Sequence, residues 1–226
     1  MKKILLMIAV TAILSPVFAQ TDNSPQNLAS TLLAQKTKKL STGGYASVDF
    51  AKQLDSEMRT NASLDVSRMI ISMAYQFSNK TQFLTEVEFE HVKELYVEQA
   101  FLTHSFNDFL NFRAGLMLVP MGIINEYHEP STFNGVGRPM LDRVVVPTTW
   151  REIGAGFTGR IQDAGLKYQV YVFNGFNGYN DGDVLKGSNF LRSGRQKGAK
   201  SFMSSPTFSA KLDYYGRRSS DGFKGL

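Results

Sequence analysis

The sequence contains no cysteine among its 226 residues. This absence excludes a disulfide scaffold and a thiolate metal site. Proline is scarce, with 7 residues against 19 glycines, while phenylalanine and tyrosine number 17 and 9. Neither sign of charge dominates, because the formal net charge is only +5. A chain that is 42% hydrophobic and 12% aromatic is too apolar for a disordered protein. The glycine and aromatic content favours a turn-rich β protein.

Long hydrophobic runs are absent beyond the N-terminus, so no segment after residue 19 predicts a transmembrane helix. The N-terminus itself has the pattern of a secretory signal peptide. Lys2 and Lys3 precede an apolar run over residues 4–14, and Val17-Phe18-Ala19 presents a cleavage site after Ala19. The sequence therefore predicts export through the Sec pathway. An exported chain of this kind could cross a membrane only as a β-barrel.

The chain divides into three predicted parts. Residues 1–19 are the signal peptide, and residues 20–43 form a polar leader that contains a short helix or is flexible. Residues 44–226 carry a hydrophobic period of two, which indicates β-strands.

This period is clearest over residues 82–90, where Glu86, Glu88 and Glu90 alternate with apolar side chains. A strand places all three glutamates on one side, whereas a helix would scatter them. In the segment 94–106, Glu98-Gln99 interrupts both faces, which predicts a β-bulge. About eight strands follow from the pattern, at 46–50, 69–77, 82–90, 94–106, 110–118, 153–161, 166–172 and 208–214.

The connections between these segments alternate between short and long. Short ones lie near residues 78–80, 107–108 and 162–163, whereas 120–148 and 174–205 are long and irregular. Outer-membrane barrels have tight periplasmic turns and long extracellular loops. The sequence therefore predicts an all-β fold, an antiparallel transmembrane β-barrel of the outer-membrane porin type.

In such a barrel the apolar face meets lipid and the polar face lines the lumen. The polar face carries five positive and five negative side chains: Arg68, Arg113, Arg160, Lys167, Lys211, Asp49, Glu86, Glu88, Glu90 and Asp213. This balance predicts an aqueous pore without strong charge selectivity. The candidate pore-lining residues are Glu86, Glu88, Glu90, Arg113, Arg160 and Lys167. The alternative is a closed small barrel whose interior charges pair with one another.

No catalytic site, metal site or cofactor is predicted. The three glutamates of 86–90 resemble glycosidase carboxylates only superficially, since their spacing is that of one strand face. The residues 125–129 lack the spacing of a helical zinc site, and 180–183 lacks the full register of a calcium loop. The basic segment 186–226 comes without a nucleic-acid motif and is interpreted as a solvated loop.

The middle of the chain resembles a known family. The segments that carry the resemblance are 86–91 (EVEFEH), 97–101 (VEQAF), 113–115 (RAG), 120–122 (PMG), 125–139 and 147–154 (PTTWREIG). Together they are similar to the phosphate-selective porin O and P family, and more specifically to porins of Bacteroidota-type bacteria. They cover about a third of the chain, and the remainder matches only by its pattern of strands.

The resemblance implies a Gram-negative outer-membrane porin, with a possible homotrimer and a barrel of more than eight strands. It also implies that the loop 120–148 folds toward the pore and narrows it, with Arg138, Arg143 and Arg151 as constriction residues. Alternatively, these arginines pair with Glu126, Glu129 and Asp142 and only order the loop. Phosphate selectivity is not expected, because the polar face is balanced in charge.

The expected function is passive diffusion of small hydrophilic solutes or ions across the outer membrane. The expected partners are outer-membrane lipid, lipopolysaccharide and those solutes, but not nucleic acid. Two other functions stay open: a small eight-stranded barrel with a structural or adhesion role, and, less favoured, an outer-membrane enzyme. Because long loops do not fit inside an eight-stranded lumen, the chain is expected to be the N-terminal part of a longer porin.

Overall fold

The computed structural model describes residues 5–12, 27–54, 61–144, 149–178, 185, 187, 190–203, 205–215, 218–219 and 222–223. Nine strands form one antiparallel sheet in which each strand pairs with its neighbours along the chain. They are β1 (Leu5–Ala12), β2 (Leu40–Gln53), β3 (Ser63–Ser78), β4 (Thr81–Glu90), β5 (Glu94–Asn107), β6 (Leu110–Leu118), β7 (Arg151–Ile161), β8 (Leu166–Phe173) and β9 (Thr207–Tyr214). The prediction of an all-β antiparallel fold is confirmed.

Strands β2 to β9 contain all eight predicted segments. The first of them, β2, begins at Leu40, four residues before the predicted boundary at residue 44. Strand β1 lies within the predicted signal peptide and pairs along the edge of β2. Removal of residues 1–19 would leave a sheet of eight strands, and the signal peptide stays a prediction. These nine strands form an open sheet with β1 and β9 at its edges, and the short strands β10 (Arg218–Ser219) and β11 (Gly222–Phe223) pair separately. Closure into a barrel therefore also stays a prediction.

The two faces of the sheet differ in chemistry and in burial. On β3, one face carries Arg68, Ile70, Ser72 and Ala74, which are buried. The other face carries Met69, Ile71 and Met73, which are exposed. We call these the covered face and the open face, and the pairing register extends them across the sheet. The open face bears large exposed apolar side chains: Val97, Leu102, Ile153, Phe157, Val170, Phe208 and Leu212.

A β-bulge lies in β5 where the sequence predicts it. Glu86 pairs with Gln99, and the next residue, Val87, pairs with Val97. Glu98 is therefore the extra residue, and both Glu98 and Gln99 are buried. The bulge explains why the polar pattern changes parity within this strand, because one inserted residue exchanges the faces on its two sides.

The strict alternation of short and long connections is wrong in detail. Three turns lie at one end of the sheet, at 79–80, 108–109 and 162–165. At the other end, the connection 91–93 has only three residues, although 54–62, 119–150 and 174–206 are longer. His91 and Val92 both have positive φ, which lets the chain reverse within this short turn. The two longest connections still share one end of the sheet.

The apolar core lies on the covered face. Helix α1 (Leu28–Ala34) packs Ala29 and Leu32 against a cluster that includes Leu84, Phe101 and Phe173. A capping box starts the helix: the Asn27 side chain accepts from the Ser30 amide, and Ser30 Oγ accepts from the Asn27 amide. The sequence did not indicate that helix α1 packs on the sheet. No helix among the described residues has both the length and the apolar character that a membrane crossing needs.

Candidate functional site

All six candidate pore-lining residues lie on the covered face. Glu86 and Glu88 are buried, and Glu90, Arg113, Arg160 and Lys167 are half-buried. The register explains the shared face, because Glu86 pairs with the buried Ser72, while Arg160 pairs with Lys167. The period of two therefore identified the polar face correctly, whereas its role as the wall of a pore stays a prediction.

Arg68 and the β4 glutamates form the first polar group on this face. Arg68 Nε lies 2.5 Å from Glu88 Oε1, and Arg68 Nη2 lies 3.6 Å from Glu90 Oε1. Glu86 has neutral partners instead: Ser72 Oγ donates to Oε1 at 3.0 Å and Gln99 Nε2 donates to Oε2 at 2.6 Å. Each buried carboxylate thus has an ion-pair or hydrogen-bond partner, which burial of charge requires.

The connection 119–150 contributes the second polar group by folding onto the covered face. His128 Nε2 lies 3.0 Å from Oε1 of Glu98, the bulged residue. His128 Nδ1 lies 3.0 Å from the Asn125 carbonyl oxygen, which can only accept, so Nδ1 is the donor. Protonation at both ring nitrogens satisfies both contacts. Burial alone would lower the pKa of His128, but the charge and hydrogen bond of Glu98 outweigh it and raise that pKa.

A second ion pair fixes the same connection further along the sheet. Lys211 Nζ on β9 lies 2.6 Å from Glu126 Oε2, and Gln169 Nε2 on β8 donates to Glu126 Oε1 at 2.8 Å. Burial raises the pKa of Glu126, yet the charge of Lys211 and these hydrogen bonds hold it below its usual range. Asn27 Nδ2 donates to the Glu126 carbonyl oxygen, and the Leu28 amide donates to Glu129 Oε1. The connection is thus held between the sheet and helix α1.

Two buried residues join the long connections at their bases. Asn125, 1% exposed, donates to the Val119 and Trp150 carbonyl oxygens and accepts from the Trp150 amide. Glu152, with no exposed surface, accepts from Trp150 Nε1 at 3.2 Å, Asn174 Nδ2 at 3.0 Å and the Gln196 amide at 2.8 Å. The single glutamate therefore ties the connection 119–150 to the connection 174–206.

The structure describes the side chains of two of the three predicted constriction arginines. Arg138 is half-buried, and its Nη1 donates to Thr149 Oγ1 at 3.4 Å. Arg151 is buried, with its guanidinium 5.4 Å from the centre of the Tyr96 ring. Arg143 falls in the helix α2 (Met140–Val144), but its side chain lies outside the described residues. The alternative was that these arginines pair with acidic residues of the same loop. Glu126 contacts Lys211 and Gln169 in the structure, and Glu129 accepts from the Leu28 amide.

Arg138 and Arg151 meet in one cavity of about 110 Å³. The same cavity receives Arg192, Arg195 and Lys197 from the connection 174–206. Arg192 and Lys197 are exposed, as expected of a solvated segment, but Arg195 is half-buried and its Nη1 donates to the Thr149 carbonyl oxygen at 3.3 Å. Burial and the charges of Arg192 and Arg151 lower the pKa of Arg195 to about 10. Sequence reasoning missed this group, since nothing local places the segment beside Arg151.

No group of three or more metal-ligating side chains occurs within the described ranges. The loop 180–183, compared with a calcium site above, lies outside those ranges. His128 and Glu129, the potential ligands of the 125–129 segment, make the contacts with Glu98 and Leu28 given above. The covered face thus carries a network of charged and amide side chains, and residues of the two long connections take part in it.

Comparisons with known proteins give one relative. A protein of Aquifex aeolicus (strain VF5), described as uncharacterized, is 34% identical to the chain over 195 residues. The matched region covers 82% of this chain and 43% of that protein, so the chain spans less than half the length of the relative. No protein-family model matches the chain, and no solved structure matches it.

Proposed function

We propose that the chain forms part of an outer-membrane β-barrel porin, a passive channel for small hydrophilic solutes or ions. One observation carries the proposal: burial is inverted relative to a water-soluble sheet. Charged residues such as Glu88 and Arg68 are buried on the covered face, while Ile71, Phe208 and Leu212 are exposed on the open face. Contiguous exposed apolar surface of this kind marks contact with lipid or a partner.

Strand length and edges support a barrel in a bilayer. Strands β2 to β7 have 9 to 16 residues, which meets the need of a membrane-crossing strand for about 9–11, and β8 and β9 have 8. Within the described residues, β9 has no strand on its outer side. In hydrocarbon, the backbone groups along that edge must find partners. Closure of the sheet into a barrel satisfies that requirement, which agrees with the resemblance to the phosphate-selective porin O and P family. Phosphate as the solute is not part of the proposal.

The lengths of the connections at the two ends of the sheet also support an outer-membrane barrel. The two longest connections share one end of the sheet, and the opposite end has three turns of two to four residues besides the connection 13–39 between β1 and β2. This is the arrangement of extracellular loops and periplasmic turns in outer-membrane barrels. In the proposed porin the open face contacts lipid and lipopolysaccharide, and the family resemblance adds a possible homotrimer.

A second candidate is a barrel without a channel, with a structural or adhesion role. The observation in its favour is the density of contacts on the covered face. Pairs such as Arg68–Glu88 and Lys211–Glu126, together with the connection 119–150, occupy part of the space that a pore would need. The number of strands in the complete barrel decides between the two candidates, because a larger circumference leaves a channel beside these contacts.

Reconstitution of the full-length gene product in planar lipid bilayers tests the proposal. We expect large, stable single-channel steps in KCl solution. The variant Glu90→Gln should shift the reversal potential in a KCl gradient, since Glu90 is the least buried of the three β4 glutamates. The matched control is Asp163→Asn, an exposed carboxylate in the β7–β8 turn, which should not shift it. Folded protein that inserts but gives no steps would favour the barrel without a channel.

A further inference from the structure

The cavity beside Arg151 has a positively charged lining, although the charges on the polar face of the strands balance. Among the described residues, six cationic side chains line it, against the two carboxylates of Glu88 and Glu90. The cationic residues are Arg68, Arg138, Arg151, Arg192, Arg195 and Lys197. The strand residues of the lining balance, because Arg68 and Arg151 offset Glu88 and Glu90. The excess of four positive charges comes from the two long connections, which contribute Arg138, Arg192, Arg195 and Lys197.

Arg151 is the residue that points to a ligand. Its exposed fraction is 6%, and its Nε has no hydrogen-bond partner among the described residues. A buried guanidinium N–H without a partner costs free energy that an acceptor in the cavity would recover. The face of the guanidinium is already used by the Tyr96 ring, 5.4 Å away. The N–H groups at its edge are therefore the part that a solute can meet.

The neighbouring cations are crowded, and this also favours an anion. Burial lowers the pKa of Arg138, and burial together with the charge of Arg195 lowers the pKa of Lys197. Each of these positive charges is less favourable in its present surroundings than in water. An anion in the cavity would stabilise these positive charges, because a nearby opposite charge favours the ionised form of a side chain.

We propose that this cavity binds small dicarboxylates and that Arg151, Arg192, Arg195 and Lys197 determine this preference. The proposal rests on the proposed porin function, for which it names a solute class. Guanidinium groups bind carboxylates through paired, parallel hydrogen bonds. The cations come from β3, β7 and two separate connections, so they are spread around the cavity. Two carboxylates at the ends of a short chain suit this spread better than one compact phosphate.

The two glutamates of the lining also favour a dicarboxylate over a compact dianion. Glu88 is paired with Arg68 at 2.5 Å, and Glu90 lies 3.6 Å from the same guanidinium. A compact dianion placed near Arg68 would meet both glutamates, and like charges at close range repel. A dicarboxylate can keep its charges beside the cations of the two connections.

Calorimetric titration of the purified full-length protein in detergent tests the site without requiring conductance. The probes are sodium succinate, sodium phosphate and sodium chloride at equal ionic strength. We expect succinate to bind most tightly. In the double variant Arg192→Gln/Lys197→Gln, succinate affinity should fall about a hundredfold or more, because two charge-assisted contacts are removed. Both side chains are exposed, so the variant keeps the packing of the fold.

The matched control is Lys36→Gln/Lys38→Gln, which removes two exposed lysines just after helix α1. Its succinate affinity should equal that of the wild type. Succinate that binds no more tightly than chloride, or an equal loss in the control, would overturn the site. Tighter binding of phosphate would overturn the dicarboxylate assignment. A protein that conducts without binding succinate refutes only the site, whereas succinate binding without conductance refutes only the porin.

Discussion

His128 Nε2 and Glu98 Oε1 lie 3.0 Å apart and join a long connection to the bulge in β5. Both side chains are almost fully buried, with exposed fractions of 5% and 1%. The bulge creates this relationship, because it turns an additional carboxylate onto the covered face at the position that the imidazole reaches.

Removal of the imidazole should destabilise the protein strongly. In His128→Ala, the carboxylate of Glu98 stays buried without its partner, and breaking a buried pair in this way costs about 3–5 kcal/mol. Denaturant unfolding in detergent measures the loss. The control is His91→Asn, which breaks the exposed pair with Asp65, tolerates the positive φ of this position and should cost about 1 kcal/mol or less. Equal effects of the two variants would contradict the burial of the His128–Glu98 pair.

Docking of the connection 119–150 should depend on pH. Folding raises the pKa of His128, so its contribution is fully present below its ordinary pKa of about 6.5 and is lost as pH rises through the raised value. Folding lowers the pKa of Glu126, so its contribution is fully present above its ordinary pKa of about 4.5 and is lost as pH falls through the lowered value. Docking should therefore be strongest between these two limits. The charged groups that face His128 are Glu98, Arg68, Arg138, Glu86, Glu88 and Glu129.

Limited proteolysis of the connection as a function of pH measures this dependence. Cleavage should increase as the solution becomes alkaline. In His128→Gln the alkaline increase should disappear, because glutamine does not titrate in this range. An alkaline increase that persists in the variant would assign the effect to another group.

Glu152 should be required to hold the two long connections together. In Glu152→Ala, the indole N–H of Trp150, the Asn174 amide and the Gln196 backbone amide lose their acceptor. A buried donor left unpaired costs about 1–3 kcal/mol, so we expect a loss of about 3 kcal/mol or more in stability. Trp150 is the single tryptophan of this sequence, and its emission should shift to longer wavelength as the site opens. Asp108→Ala, at an exposed carboxylate in the β5–β6 turn, should leave both readouts unchanged.

A charge on the open face distinguishes lipid from water as its surroundings. Val170 is 51% exposed at the middle of β8. If the open face meets lipid, Val170→Lys should cost about 2–4 kcal/mol in stability measured in bilayers. In water the same exposed substitution would stay within about 0.5 kcal/mol. Asn79→Lys, in the β3–β4 turn, is the control and should be nearly neutral; a neutral Val170→Lys would refute lipid contact at this position.

The strands and their faces could be predicted because the signal is local. Glu86, Glu88 and Glu90 share a face as soon as the segment is extended, and the conflict at Glu98-Gln99 marks the bulge. The length of the turn at 91–93 was less predictable, since it depends on the positive φ of His91 and Val92. The polar N-terminal stretch gave no indication that helix α1 would cover an apolar part of the covered face.

By itself, the sequence determined the antiparallel strands, the separation of polar from apolar faces, and the end of the sheet with the longest connections. These properties depend on the alternation of neighbouring residues along the chain. Only the tertiary structure decided which charges meet: His128 with Glu98, Lys211 with Glu126, and Arg195 beside Arg151. These partners are tens of residues apart, and the folding of two long connections over the sheet, which no local period encodes, brings them together.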